Sequence, residues 1–443
     1  MADLAQLQHL LRRTEFVAKQ PRIDALIGGT LDAAVDDILN VTTPVALPAY
    51  IDHNIDNMGY EQFVYAVQWW MDLMVDSAKP MQERMTFFWH GHFTSAWNKV
   101  GDTRSMMTQN KLLRDNAFGN FLDLTQKVAK DPAMLIYLDN KDNVKGSPNE
   151  NFGRELLELF ALGVGNYTEA DIAAAAKAWT GHGIDTSSSS PTYGLYKYTD
   201  SRHDKTNKTF FGTTKNWDGP DIINEILRDN GEKKYIAARY VINRIWEHFA
   251  FPGTPATVLD ALWENFASTW DIKALMRALL LRPEFYSPAA MQRQVRSPVE
   301  WIATVMYQTG RRSAEVHPEY YLDAMGQEPY NPPNVAGWKH NAYWINTSTM
   351  GERGDFAKDI ANRLRTPDTY AFISAKTGAN WNTSVDQAID TIVNLFGIGP
   401  LSAQTHAAMV GYLNAERGPG GDRWWQITNL LTMGLLAPEM HVA

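Results

Sequence analysis

One stretch decides most of what this chain can become: Ser147 to Gly165, SPNENFGRELLELFALGVG. Phe152, Leu156, Leu157, Leu159, Phe160 and Leu162 recur at helical spacing and leave little surface for water. A helix apolar on most sides belongs in a protein interior. Ser147 as cap, Pro148 at the first helical position and Glu150 three residues after the cap predict a capping box. Gly163 and Gly165 predict the stop. Along this oily rod runs a polar stripe: Asn151, Arg154, Glu155 and Glu158, three and four residues apart and so on one face. Unpaired buried charge costs roughly several kcal/mol, so the stripe meets either a ligand in a wet cleft or an internal Arg–Glu network.

The rest of the chain reads as helices of ordinary length. Glu61 to Ala78 is apolar on several sides. Gln82 to Ala96 holds His90 and His92, which fall on different helix faces and cannot share one ion from a regular helix. A packed, hydrogen-bonded histidine is the first expectation for both. Thr168 with Asp171, and Ser297-Pro298 with Glu300, predict two more capping boxes. Alanines at 170 and 173 to 176 predict close packing of the helix after the central one. Val41 to Asp52 reads as a connector and Gly418 to Gly421 as a loop.

Two segments break the helical pattern. Thr186 to Pro191 is a serine-rich loop, and Tyr193 to Thr199 and Lys208 to Phe211 alternate aromatic and polar residues as in a short β-hairpin. Pro329 to Trp344 is too rich in proline, asparagine and glycine for regular structure; long ordered loops of that kind often carry function. No linker divides the chain. The expectation is a mostly α fold: one large multi-helical domain over residues 1–443, with a loop and β-hairpin insertion at 186–217.

Composition matters for what it excludes. A formal net charge of −9 argues against a nucleic-acid backbone as the main partner. Zero cysteines exclude disulfides, thiolate chemistry and cysteine metal sites. No apolar run approaches the roughly 18 residues of a membrane span. Fifteen tryptophans suit an aromatic core or, alternatively, a sugar-stacking cleft. The GVG at Gly163 to Gly165 lacks the lysine and strand of a phosphate loop, and no GxSxG elbow is present.

PNENFGRELLELFALGVGNYTEADIAAAAKAWTG resembles the signature of a bacterial family, domain of unknown function 1800 (DUF1800). HLLRRTEF (His9 to Phe16), FFWHGHF (Phe87 to Phe93), DPAMLIYLDN (Asp131 to Asn140), RHDKTNKTFFG (Arg202 to Gly212) and NPPNVAGW (Asn331 to Trp338) match as well, so the resemblance covers nearly the whole chain. It implies a mostly helical bacterial protein, often periplasmic or extracellular, although the first residues carry no signal-peptide pattern. Where the family pattern has tryptophan, this chain has His182.

Three functions fit these residues. The first is a carbohydrate-active hydrolase of the glycoside hydrolase kind, with an oligo- or polysaccharide as partner and no cofactor. Such an enzyme needs two carboxyl groups flanking a cleft. Glu155 and Glu158 supply one side and Asp204 or Asp139 the other; His203 beside Asp204 could position a base. Arg154, Asn151, His92, Lys208 and Trp338 are the expected substrate-binding residues. The second is a metal-dependent hydrolase or oxidase, a divalent ion being held by His92, His203, Asp204 and Glu155 or Glu158. The third is a non-catalytic binding or assembly protein whose polar stripe is an ion-pair network.

Overall fold

The computed structural model describes residues 2–41, 45–48, 59–291, 293–364, 384–397, 401–417 and 424–443. Part of the expected 41–52 connector and the expected loop at Gly418 to Gly421 lie outside them. Among the described residues the structure is 64% helical, with 22 helices and two small antiparallel strand pairs. The mostly α expectation holds. The strands pair differently from the expected hairpin. His182–Ile184 runs against Tyr196–Tyr198, and Lys208–Phe210 against Thr213–Lys215. Lys208–Phe210 finds its partner two residues on, which needs the shorter loop closure, whereas Tyr196–Tyr198 turns back to a strand on its N-terminal side.

The helix Gly59–Asp76 packs on Pro80–His92 and on Pro298–Thr309. Gly231–Phe249 packs on Ala256–Thr269. The apolar side chains of these helices belong to one continuous core that also holds Trp70, Trp89, Trp179, Trp246 and Trp301. Two of the capping boxes form as the sequence requires. Thr168 accepts from the Asp171 amide, Ser297 from the Glu300 amide, and in each case the third residue returns the bond.

The central stretch departs from expectation at its start. Ser147 does not cap a helix; it closes an isolated bridge with Val144. Asn143 Oδ1 takes the Asn149 amide at 2.9 Å and Asn149 Oδ1 takes the Asn151 amide at 2.9 Å. The α-helix therefore begins at Asn151, runs Asn151–Glu155, and widens into a π turn over Leu156–Ala161. Gly163 and Gly165 end it with positive φ. The backbone of Gly153 lies so close to the alanine-rich helix Glu169–Ala178 that a Cβ there would stand 3.2 Å from the Ala176 nitrogen.

Histidines are buried neutral in this core. Burial pushes His9, His90 and His92 down to about 3, with nearby arginines adding to it for His9 and His92. Their folded values lie below the ordinary 6.5, so between pH 6.5 and 3 the unfolded chain binds more protons and stability falls as pH falls. Asp131 and Glu328 oppose this: burial raises each to about 7, so their contribution grows as pH drops through 7, while burial lowers His248, His340 and His441 as well. The histidines are more numerous, and the expected result is a melting temperature that drops steadily from pH 6.5 to 4. A flat or rising profile by circular dichroism would refute their neutral burial.

Candidate functional site

The polar stripe divides as soon as its partners are traced. Arg154 turns to the surface, holding Glu169 at 3.0 and 2.8 Å and Glu150 at 3.2 Å. Exposed pairs of this kind contribute about 1 kcal/mol or less. Arg154→Ala is expected to change unfolding free energy by under about 1 kcal/mol in a urea titration; a larger loss would restore an internal network to the stripe. Glu158 accepts the Tyr167 hydroxyl at 2.6 Å. Burial, and then that bond, push the Tyr167 hydroxyl up to about 12.

Glu155 is different. It is half-buried and, among the described residues, has no hydrogen-bond or ion-pair partner. Burial first, and the neighbouring Glu158 charge second, raise its carboxyl above the ordinary 4.5, with Arg154 pulling the other way. The Glu155 charge is felt by the Tyr137 hydroxyl, which burial and then that charge raise.

One turn before Glu155 on the same face, about 6 Å along the axis, Asn151 donates to Asp139 Oδ2 at 3.3 Å. Asp139 also pairs with Lys99 at 2.8 Å. Asp139 follows the helix Pro132–Tyr137, whose start is capped by Asp131, and it sits in the left-handed region at φ 57°. A non-glycine residue there is uncommon and costs roughly 1–3 kcal/mol, a strain that collects at functional positions. Beside Lys99, the Asn98 amide reaches Asn331 Oδ1 at 3.3 Å, and Asn331 holds Glu328 at 3.0 Å. Burial raises Glu328 to about 7 against the Asn331 bond. The expected functional loop thus meets this shelf through Asn331, which also holds Glu328 just ahead of the loop.

The other sequence candidates bind inward. His203 Nδ1 lies 2.8 Å from the Thr180 carbonyl, and Asp204 caps its own turn through the Thr206 amide at 2.8 Å and hydroxyl at 2.6 Å. Burial opposes ionisation of Asp204, but the Thr206 bonds and the Lys208 charge outweigh it and its carboxyl is lowered. Lys208 spends its ammonium on the carbonyls of Asp204 and Trp217 and on Asn216. None of these three bonds Glu155 or Glu158. His182, the departure from the family pattern, adds polar contacts: Tyr196 at 2.8 Å and Asp218 at 2.9 Å.

His92 Nε2 lies 3.0 Å from the Phe160 carbonyl, while the Tyr240 hydroxyl donates to the Leu159 carbonyl at 2.8 Å. Both carbonyls belong to the π turn, and such turns recur at functional sites. Among the described residues no three His, Asp or Glu side chains converge as a metal site would need. No described helix is long and apolar enough to cross a membrane.

Trp338 lies elsewhere. It stacks on Phe87 with centroids 4.8 Å apart and lines a cavity of ≈ 550 Å³, counted out to its mouth, together with Arg244, His248, Glu300 and His340. Apart from the Pro329 to Trp344 loop, which brings Trp338, His340 and Trp344 to it, sequence reading passed over this cavity. Its signals were present as charges inside apolar runs: Arg84 just ahead of the Phe87 to Phe93 motif, Arg12 and Arg13 in the His9 to Phe16 motif, and Glu300 read only as a cap.

A model of a protein family described as "Protein of unknown function (DUF1800)" matches residues 9–442. No curated protein and no solved structure matches the chain.

Proposed function

We propose, from the premise that this chain belongs to the DUF1800 family, that it hydrolyses glycosidic bonds of an oligo- or polysaccharide at the Glu155–Asp139 shelf. One observation carries the reading: a half-buried carboxyl, held toward its neutral form and without a hydrogen-bond or ion-pair partner among the described residues, stands one helical turn from Asn151, which bonds a carboxylate also held by Lys99. Two carboxyl groups in contrasting surroundings are how one site supplies both an acid and a base. Glu155 would protonate the leaving oxygen. Asp139, kept in place by the Lys99 ammonium, would act on the opposite side as nucleophile or as base for water. Separations of about 5–9.5 Å serve these roles.

The raised Glu155 value fixes the sign of the pH profile. The acid must be protonated, so the rate falls as pH rises through a value above 4.5. The test is release of reducing ends from a panel of polysaccharides. Glu155→Gln is expected to lose roughly 100-fold or more of the rate while melting within about 2 °C of the parent, since no partner is lost. A Glu155→Gln protein that keeps its rate, or a parent that cleaves none of the panel, refutes the reading.

A second reading, a non-catalytic binding protein, draws support from the inward bonding of His203, Asp204 and Lys208. It anticipates that Glu155→Gln weakens sugar binding in a parent without turnover.

A further inference from the structure

We propose that the cavity lined by Trp338, Arg244, His248 and Glu300 is a binding site for a small oxoanion: a phosphate, a sulfate or the carboxylate of a small molecule. Four guanidinium groups gather behind it. Arg13, Arg84, Arg296 and Arg353 are each no more than 4% exposed. All four lie within electrostatic reach of one carboxylate, Glu300. Glu300 is the acidic group that acts most strongly on Arg13, Arg296 and Arg353.

The remaining contacts of these arginines are neutral. Arg13 donates to Gln294 Oε1 and to the Ala290 carbonyl at 2.6 Å. Arg296 reaches the Met440 carbonyl at 3.1 Å. Arg353 meets His441 Nδ1 at 2.7 Å and the Arg296 carbonyl at 2.8 Å. Arg84 pairs with Glu300 and lies over the rings of Phe16 and Phe249 at 4.9 and 5.7 Å. Its Nε and Nη2 are buried and have no partner among the described residues.

A guanidinium stays protonated in a protein, so this charge cannot be shed as a lysine or histidine would shed it. Leaving it uncompensated away from water costs several kcal/mol, roughly. The whole chain carries net charge −9, so the deficit of acid here is local. Glu300 is itself committed, taking the Ser297 amide at 2.7 Å besides Arg84.

Two further groups with unpaired nitrogens line the cavity itself. Arg244 lines the cavity with no hydrogen-bond or ion-pair partner among the described residues, and its Nε is buried. His248 lines it too, with Nε2 buried and unpartnered. The Arg84 and Arg244 charges both act on His248, which ties the buried cations to the cavity wall. The stacked rings of Phe87 and Trp338 line it as well. Unpaired donors beside excess positive charge suit an anion's oxygens.

The test uses the full chain at pH 7 in a buffer without oxoanions. Phosphate, sulfate, acetate and citrate are titrated separately, each against sodium chloride at matched ionic strength. At least one is expected to raise the melting temperature saturably, by roughly 5 °C at a hundredfold excess over its Kd; the tightest arm identifies the group. Arg244→Gln is expected to weaken that anion at least tenfold by calorimetry, while its melting temperature without anion stays near the parent's. Chloride matching every arm, no saturation below about 20 mM for any arm, or an Arg244→Gln protein that binds as tightly as the parent would each overturn the proposal.

Discussion

Arg114→Met is expected to cost about 3–5 kcal/mol, a large part of the roughly 5–15 kcal/mol that holds a folded chain together. Arg114 and Glu83 are both at most 1% exposed and meet bidentately, Nε to Oε1 at 2.7 Å and Nη2 to Oε2 at 2.8 Å. Trp70 Nε1 donates to the same Oε2 at 2.8 Å. Burial works against the Arg114 charge, but the Glu83 carboxylate and its bonds outweigh it and the guanidinium is raised. Methionine fills similar space yet leaves Glu83 charged among apolar rings with the indole as its remaining bond. Taking both charges away should be far milder: Glu83→Leu with Arg114→Met is expected to recover most of the loss. Urea unfolding followed by tryptophan fluorescence gives all three values. A single variant within about 1 kcal/mol of the parent, or a double variant worse than either single, would contradict this account.

Gly337→Ala is expected to be nearly as damaging, roughly 3 kcal/mol or more. A Cβ at 337 would stand 2.2 Å from the Gly91 carbonyl oxygen, and the residue holds φ 77°. Backbone meets backbone there, so no rotamer relieves the overlap, and the left-handed conformation adds strain for any L side chain. This contact fastens the NPPNVAGW motif to FFWHGHF and presses Trp338 against Phe87. The reciprocal change separates sterics from general sensitivity. A Cβ at 91 meets Trp338 Cε3 at 3.4 Å, ordinary contact, inside the helix Pro80–His92. Gly91→Ala should therefore fall within about 1 kcal/mol of the parent, its helix propensity offsetting the tighter fit. Equal melting-temperature losses for the two variants would refute the steric argument.

The helical architecture was legible because periodicity and caps are local. Thr168 with Asp171 and Ser297 with Glu300 needed four residues each to declare themselves. Ser147 misled for a long-range reason: Asn143 claims the Asn149 amide and draws the chain into a bridge at Val144. The π turn left no mark in the hydrophobic pattern, because its extra residue is absorbed within an almost wholly apolar run. Glu155 was found from its oily surroundings; its separation from Arg154 was not, since Glu169 lies on the following helix and wins the guanidinium. The cationic cavity was the least legible. Its groups come from positions 13, 84, 244, 296, 300 and 353, and no window of sequence brings them into one view.

The wide turn at Leu156–Ala161 has one more consequence. An added residue in a helix advances everything after it by about 100° around the axis. The Glu155 side and the Gly163 end are therefore out of phase with each other, and the His92 and Tyr240 bonds to Phe160 and Leu159 latch that offset in place. Shortening the turn by one residue would bring the two ends back into step. It would swing the Tyr167 segment away from Glu158 while leaving Asn151 and Asp139 where they are.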